Sequence, residues 1–192
     1  MTMERNVRDR NIKPLIPIYT HLIPDLELAP GEASSIRNNF IRKLVAVAQL
    51  ELKVPFNSIV VRDIRPIDDL DYTYQTWTEA TGATESAYET MSTGAGTATK
   101  ERDRWIGIFG VRVSANPAVS LIKFNVGGGD RAIWSLASLR PEDDMVGYSP
   151  AGVVIPPSTQ FTISRYVVQA STQVTVVLKG VVVEVRGRLI SP

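Results

Sequence analysis

From Val153 to Arg186 the chain reads VVIPPSTQFTISRYVVQASTQVTVVLKGVVVEVR, two long runs rich in Val, Ile, Thr and Tyr, introduced by a Pro156–Pro157 turn and separated by a short polar link. Branched and planar side chains suit a pleated, half-buried surface, and no helix-period stripe competes, so both runs are predicted strands. In the first, Phe161, Ile163 and Val167 share one face, opposite Thr162, Ser164 and Tyr166. In the second, the apolar row Val174, Val176, Leu178 changes parity after Gly180 and continues as Val181, Val183, Val185. Two arrangements produce that change. One is a β-bulge at Lys179–Gly180, with glycine adopting positive φ, the apolar valines facing the core and Glu184 facing solvent. The other is a strand buried on both faces.

The same alternation predicts strands over Ile59–Ile64, over WIGIFGVRV from Trp105, over Ala118–Val126 and over Ala132–Leu139, the last two separated by a Gly127–Gly129 turn. Ser34–Leu52 carries two periods at once. Ile36, Phe40, Leu44 and Val47 fit a helical stripe, whereas Leu44, Ala46, Ala48, Leu50 and Leu52 alternate as in a strand. A turn at Val54, Pro55 and Asn57 leads directly into the next strand, which favours a strand for the second half of this segment, paired antiparallel with its neighbour.

Two stretches stand apart. Pro14–Pro30 spaces four prolines among Leu, Ile and Tyr, which forbids a helix and suits an extended segment along a sheet edge or across another subunit. With the polar residues before it, this defines an extended N-terminal arm over residues 1–30. Residues 66–104 form a long excursion, acidic and aromatic at first, then dominated by Thr, Ser, Ala, Gly and Glu. Loops of that length in a compact domain are uncommon and are usually functional, mobile or both. Residues 31–192 are then one all-β domain of about eight antiparallel strands, a jelly-roll-like sandwich carrying the 66–104 loop; a chain of 192 residues with 44% hydrophobic residues has room for one sizeable core.

Charge adds little direction. With 21 basic and 20 acidic residues the net charge is +1, so no global field points to nucleic acid or an acidic substrate. Three arginines and one lysine in residues 1–13 leave a local basic arm, through which contact with nucleic acid or an anionic membrane is the secondary expectation. The absence of cysteine removes disulfides, thiolate metal sites and cysteine nucleophiles. No apolar run has the length to span a bilayer as a helix, and the charged N-terminus does not read as a signal peptide.

Candidate chemistry is sparse. Asp68, Asp69 and Asp71 precede Tyr72, Tyr74 and Trp77, which together suggest a calcium or carbohydrate site, since hard cations take oxygen ligands and sugars stack on aromatic rings. The DDLD run lacks the glycine and twelfth-position glutamate of an EF-hand loop, and an acidic turn explains it as well. GGGDR (127–131) is followed by neither Lys-Ser/Thr nor a helix start and reads as a turn rather than a phosphate loop. The single histidine, His21, lies in the proline-rich segment without a second histidine or cysteine. No GxSxG, HExxH, zinc spacing or dinucleotide-binding turn occurs. The expectation is a protein that is not an enzyme, with no catalytic, cofactor or metal residues.

About eight strands, a proline-rich arm, a Thr/Ser/Gly-rich excursion and the pair VVIPPSTQFTI and VTVVLKGVVVEVRG resemble the β-sandwich and jelly-roll structural proteins of viruses and bacteriophages. That resemblance implies a capsid or capsid-associated subunit located in the virion, whose partners are copies of itself and other shell proteins, held by arms and loops. The alternative is a carbohydrate- or receptor-binding module of the same fold class using Tyr72, Tyr74, Trp77 and the nearby acids.

Overall fold

The structure is a computed structural model; it describes residues 18–70, 77–91, 104–114, 118–136, 139 and 145–186. Eleven strands and two helices follow in chain order: β1 (Ile18–His21), β2 (Ile23–Pro24), α1 (Glu32–Leu52), β3 (Ile59–Asp63), α2 (Pro66–Asp69), β4 (Trp77–Ala80), β5 (Ala87–Thr90), β6 (Arg104–Val113), β7 (Val119–Val126), β8 (Gly129–Ser135), β9 (Met145–Ile155), β10 (Phe161–Val167) and β11 (Gln173–Val185).

They form a β-sandwich. One sheet has the order β1-β8-β7-β10-β5; the other runs β2-β9-β6-β11-β3, with β4 also paired to β11. β3 pairs with Val181–Val185 and β4 with Gln173–Val176, both antiparallel on the same edge of β11, so they act as one interrupted strand. Counted that way, β3/β4-β11-β6-β9 faces β5-β10-β7-β8, and the chain shuttles between sheets as in the eight-strand jelly roll. All pairs within this set are antiparallel. β1 and β2 extend the two sheets at one side, β1 running parallel to β8. Within the described part of the 1–30 segment, residues 18–24 run as edge strands and Asp25–Glu27 then form one turn of 3-10 helix.

Two apolar clusters fill the molecule. Between the sheets, Ile106, Ile108, Val111 and Val113 of β6, Ile122 and Phe124 of β7, Trp134 of β8, Phe161 and Ile163 of β10 and Val174, Val176, Leu178 and Val182 of β11 make the main core. The second lies on the outer face of the β6–β11 sheet, where Phe40, Leu44, Val45 and Ala48 of α1 cover Trp105, Phe109, Val181 and Val183. The strand expected for Leu44–Leu52 is thus the second half of a 21-residue helix. Residues 44, 48 and 52 turn toward the sheet while Ala46 and Leu50 face solvent, so the apparent alternation is a helical pattern sampled every second residue. Ala, Leu, Gln, Glu, Arg and Lys predominate, all good helix formers. Lys53 ends the helix in a left-handed conformation (φ 53°), its N–H bonded to the Gln49 carbonyl, and Pro55 prevents continuation.

The helix sits close because two glycines let it. A Cβ on Gly107 would lie 2.5 Å from Phe40 Cε1 and 2.6 Å from Leu44 Cδ2, and one on Gly152 would collide with the Phe40 ring.

The parity change in β11 is resolved by this cover. Val181 and Val183 face α1, while Val182 continues the inward row of Val174, Val176 and Leu178, so β11 keeps its phase and is buried on both faces. A register shift does occur at Lys179/Gly180, but the extra residue is Phe109 on the partner strand: Lys179 pairs with Gly110 and Gly180 with Ile108. Inward residues of β6 accordingly switch from Ile106 and Ile108 to Val111 and Val113. Gly180 is not in the positive-φ region; it is required because a Cβ there would stand 2.5 Å from the Gly107 carbonyl oxygen. Glu184, expected at the surface, is only 3% exposed and points between the sheets.

The 66–104 excursion is not loop throughout. α2, β4 and β5 lie within it, and β5 pairs with β10 while β4 pairs with β11. Their sequences, WTEA and AYET, carry Glu and Ala, poor strand formers in isolation; cross-strand pairing overrides that preference. Polar and glycine-containing positions do not stop β9 from beginning at Met145 and running to Ile155. Gly127 and Gly128 make the β7–β8 turn with φ 64° and 79°, the pair of positive values that a two-residue hairpin favours.

Two substitutions test the covered face. Val183→Asp places a charge under α1 and should cost about 3 kcal/mol or more, and Gly107→Val should cost about 1–3 kcal/mol by overpacking against Phe40 and Leu44. Leu50→Asp, on the solvent side of the helix, should be nearly silent. Chemical denaturation of the three variants measures this, and an equal loss for Leu50→Asp would mean the helix is turned the other way.

Candidate functional site

Each end of the sandwich interior is closed by buried charge. At the end where β11 finishes, Glu184 accepts hydrogen bonds from Arg62 Nε (3.0 Å) and Arg104 Nε (3.2 Å). Asp69, from α2, accepts from both Arg62 terminal nitrogens (2.8 and 2.7 Å), from Arg104 (3.1 Å) and from the Arg65 backbone N–H (2.6 Å). The four charges alternate around a closed, neutral ring. Asp69, Glu184 and Arg104 side chains are at most 5% exposed, so each charge depends on its partners for solvation. The hydrogen bond to Asp69 outweighs burial and holds the Arg62 pKa above its ordinary value, so that guanidinium stays charged.

At the opposite end, Arg165 of β10 is fully buried and reaches from one sheet to the other. Its Nη2 donates to the Ala80 carbonyl (2.9 Å), and Nε and Nη2 both donate to Glu89 (3.3 Å each). Glu89 also accepts from the Gly82 N–H (3.1 Å). Burial pushes the Glu89 carboxyl up, but the Arg165 hydrogen bond, the Gly82 N–H and the Arg165 charge together prevail and leave it below the usual range.

Of the candidate residues, Asp69 is taken up by the charge ring, its two oxygens facing three arginine nitrogens and a backbone N–H, an environment that repels a cation. Asp68 is exposed and 3.9 Å from Arg65. Asp71, Tyr72 and Tyr74 lie outside the described residues. Trp77 is paired with Val176 at the start of β4, and His21 is the last residue of β1, opposite Ser135. Asp130 of the GGGDR turn accepts from Asn125 Nδ2 (3.0 Å) and lies 3.9 Å from Lys123, a hairpin-side contact with no phosphate-cradle geometry. Among the described residues, no group of three or more His, Cys, Asp or Glu side chains is placed to hold a metal ion.

Two surface features remain. An open groove of about 460 Å³ lies between the first turns of α1 and the stretch of β11 that β3 and β4 leave uncovered; Ser34, Arg37, Asp63, Phe109, Tyr148 and Lys179 are among its lining residues. Tyr148 stacks on Phe109 at 6.4 Å, and its hydroxyl pKa is raised by burial and by Asp25, partly offset by Arg37. On the outer face of the β7–β10 sheet, Tyr88 meets Tyr166 edge to face at 5.1 Å, and Lys123 Nζ stands 4.3 Å from the Tyr88 ring centre. Neither feature is legible in the sequence, because each joins residues from separate elements of the chain and none of them belongs to a local motif. The groove offers aromatic walls and two cations, but no nucleophile paired with a base.

No family model matches the chain, and no curated protein matches it. Among solved structures it is similar to a GH26-CBM35 β-(1,4)-mannanase from Podospora anserina, with 10% sequence identity and a TM-score of 0.31. The match covers 70% of this chain and 29% of that one. A likeness at that level carries no argument about function.

Charge removal tests the two ends. Asp69→Asn should destabilise the fold by about 3–5 kcal/mol, because Arg62 and Arg104 would keep their charge in a site built for two anions. Glu89 has a lowered folded-state pKa, so its contribution is complete above the unfolded glutamate range and fades as pH falls through the folded value. Glu89→Gln should therefore lose stability at pH 7, and the gap to the parent should close only as pH falls below the ordinary glutamate range. Melting temperatures across that range report it; a constant gap down to low pH would show that the Glu89 charge is not what matters.

Proposed function

We propose that this chain is a structural subunit of a virus or bacteriophage particle, acting through contacts with copies of itself and with other shell proteins. The observation that carries the reading is the jelly-roll strand order with a filled interior. Trp134, Phe124, Ile122, Ile163 and Leu178 pack the space between the sheets, and ion pairs close both ends. In this arrangement the faces and edges of the sandwich are what a partner can meet. A buried charge ring that pins α2 against β3, β6 and β11 gives that end of the body a fixed surface, which suits a subunit that must meet its neighbours reproducibly.

The Tyr88–Tyr166 pair favours the second reading, a glycan- or receptor-binding module, because Tyr88 is 41% exposed on a flat sheet face. Against it, the Lys123 ammonium already occupies one face of the Tyr88 ring.

Electron microscopy and light scattering on the purified chain separate the two. Ordered rings, sheets or shells at micromolar concentration support the structural role. A monodisperse monomer that binds defined glycans on an array, and loses that binding on Tyr88→Ala, would replace it with the second reading.

A further inference from the structure

The N-terminal strands occupy a slot that belongs to both sheets. β1 lies parallel to β8, in register from Ile18 opposite Ala132 to His21 opposite Ser135, and β2 lies antiparallel to β9, with Ile23 opposite Tyr148 and Pro24 opposite Gly147. The chain changes sheets at Leu22, whose side chain is 4% exposed and enters the core between the sheets. The hole it fills is specific. A Cβ added to Gly147 would stand 3.0 Å from Leu22 Cβ, so glycine there makes room for this one side chain, beside Leu139.

What joins these strands to the rest of the domain is thin. Residues 25–31 contain no buried residue, and Leu26 is 66% exposed. The connector's hydrogen bonds are local: Leu28 N–H to Asp25 O, Glu32 N–H to Ala29 O, Ala29 N–H to the Glu32 carboxylate, and Ser35 N–H and Oγ to Gly31 O; beyond them its Asp25–Glu27 turn rests against β9. Pro24 and Pro30 bracket it, and Gly31 enters the helix with φ 83°. Seven residues, fully extended, reach about 23–25 Å. The strand pair is thus a short plug, seated by edge hydrogen bonds and one apolar knob, on a tether long enough to leave its own domain.

We propose that β1 and β2 are exchanged between copies: residues 18–24 of one chain fill the slot between β8 and β9 of the next. The occupant is a second copy of this chain, because the slot is already shaped for this segment and exchange reproduces both strand pairings and the Leu22 packing seen within one chain. Donor and acceptor surfaces differ, so each copy gives one plug and receives one. Successive exchange in one direction builds a ring if the rotation closes and a filament if it does not. This inference rests on the structural role proposed above and supplies its contact.

The absence of native cysteine makes the test direct. In the full chain carrying Leu22→Cys and Gly147→Cys, mild oxidation should form disulfides, since the two Cβ positions are adjacent. Exchange predicts a ladder of covalent multiples of the 21.1 kDa chain on a non-reducing gel, collapsing to one band on reduction. A chain oxidised only within itself would overturn exchange, and so would thiols that remain free, which would mean Leu22 does not sit in the slot. Light scattering on the parent chain distinguishes the two failures. Large assemblies together with internally closed disulfides would leave the structural role standing without exchange; a monomer with internally closed disulfides would remove both.

Discussion

β11 is covered on both of its faces, and the rest of the fold depends on that cover. Thirteen residues long, it pairs with β6 along most of its length and with β3 and β4 on its other edge. Its inward row closes the main core, and its outward Val181 and Val183 need a second apolar layer, which α1 provides. For a helix to lie that close, the sheet beneath must carry glycine, and Gly107 and Gly152 are where Phe40 and Leu44 press in. Gly180 belongs to the same constraint from inside the sheet, since any side chain there would strike the Gly107 carbonyl. A bulged Phe109 then turns its ring into the layer under the helix, and Tyr148 stacks on it. The open groove beside α1 exists because the bulge, the helix start and the gap between β3 and β4 coincide.

Buried charge plays the complementary part. An apolar sandwich must end somewhere, and here both ends finish on arginine–carboxylate contacts that join strands from different parts of the chain. Arg62, Arg104 and Glu184 come from β3, β6 and β11, and Asp69 adds α2; Arg165 ties β10 to β5 and, through the Ala80 carbonyl, to β4. Such pairs contribute little net stability relative to apolar replacements, but breaking one side leaves an expensive orphan. Their effect is to fix which strands meet at each end. With the interior filled and its ends occupied, the described residues leave edges and faces as the surfaces open to a partner.

The all-β sandwich was legible from alternation alone, since the strands of Trp105–Val113, Ala118–Val126 and Phe161–Val185 are driven by a period that the sequence displays directly. Three features were not. α1 hid because its buried residues Leu44 and Ala48 also fit an every-second-residue pattern, and only the sheet's need for an outer cover decides between the two. β4 and β5 were invisible because Thr, Glu and Ala gain strand character from their partners. The ion-pair ring has no local signature either: Asp69 reads as part of an acidic turn or a cation site, and Glu184 as a surface residue if β11 carries a bulge. A lone carboxylate in a sequence does not reveal the arginine that will face it from 122 or 35 positions away. The groove and the tyrosine face were illegible for the same reason: they are products of pairing order and have no local signature.

Native-state hydrogen exchange tests most directly whether the helix and the double-sided strand form one unit. If α1 is the outer cover on which β11 depends, the amides of Val181–Val183 and those of the buried turn of α1 around Leu44 and Ala48 should exchange together, at the rate set by global unfolding. Exchange of the helix amides through a lower-energy opening that leaves Val181–Val183 protected would contradict the account, because the strand would then be stable without its cover.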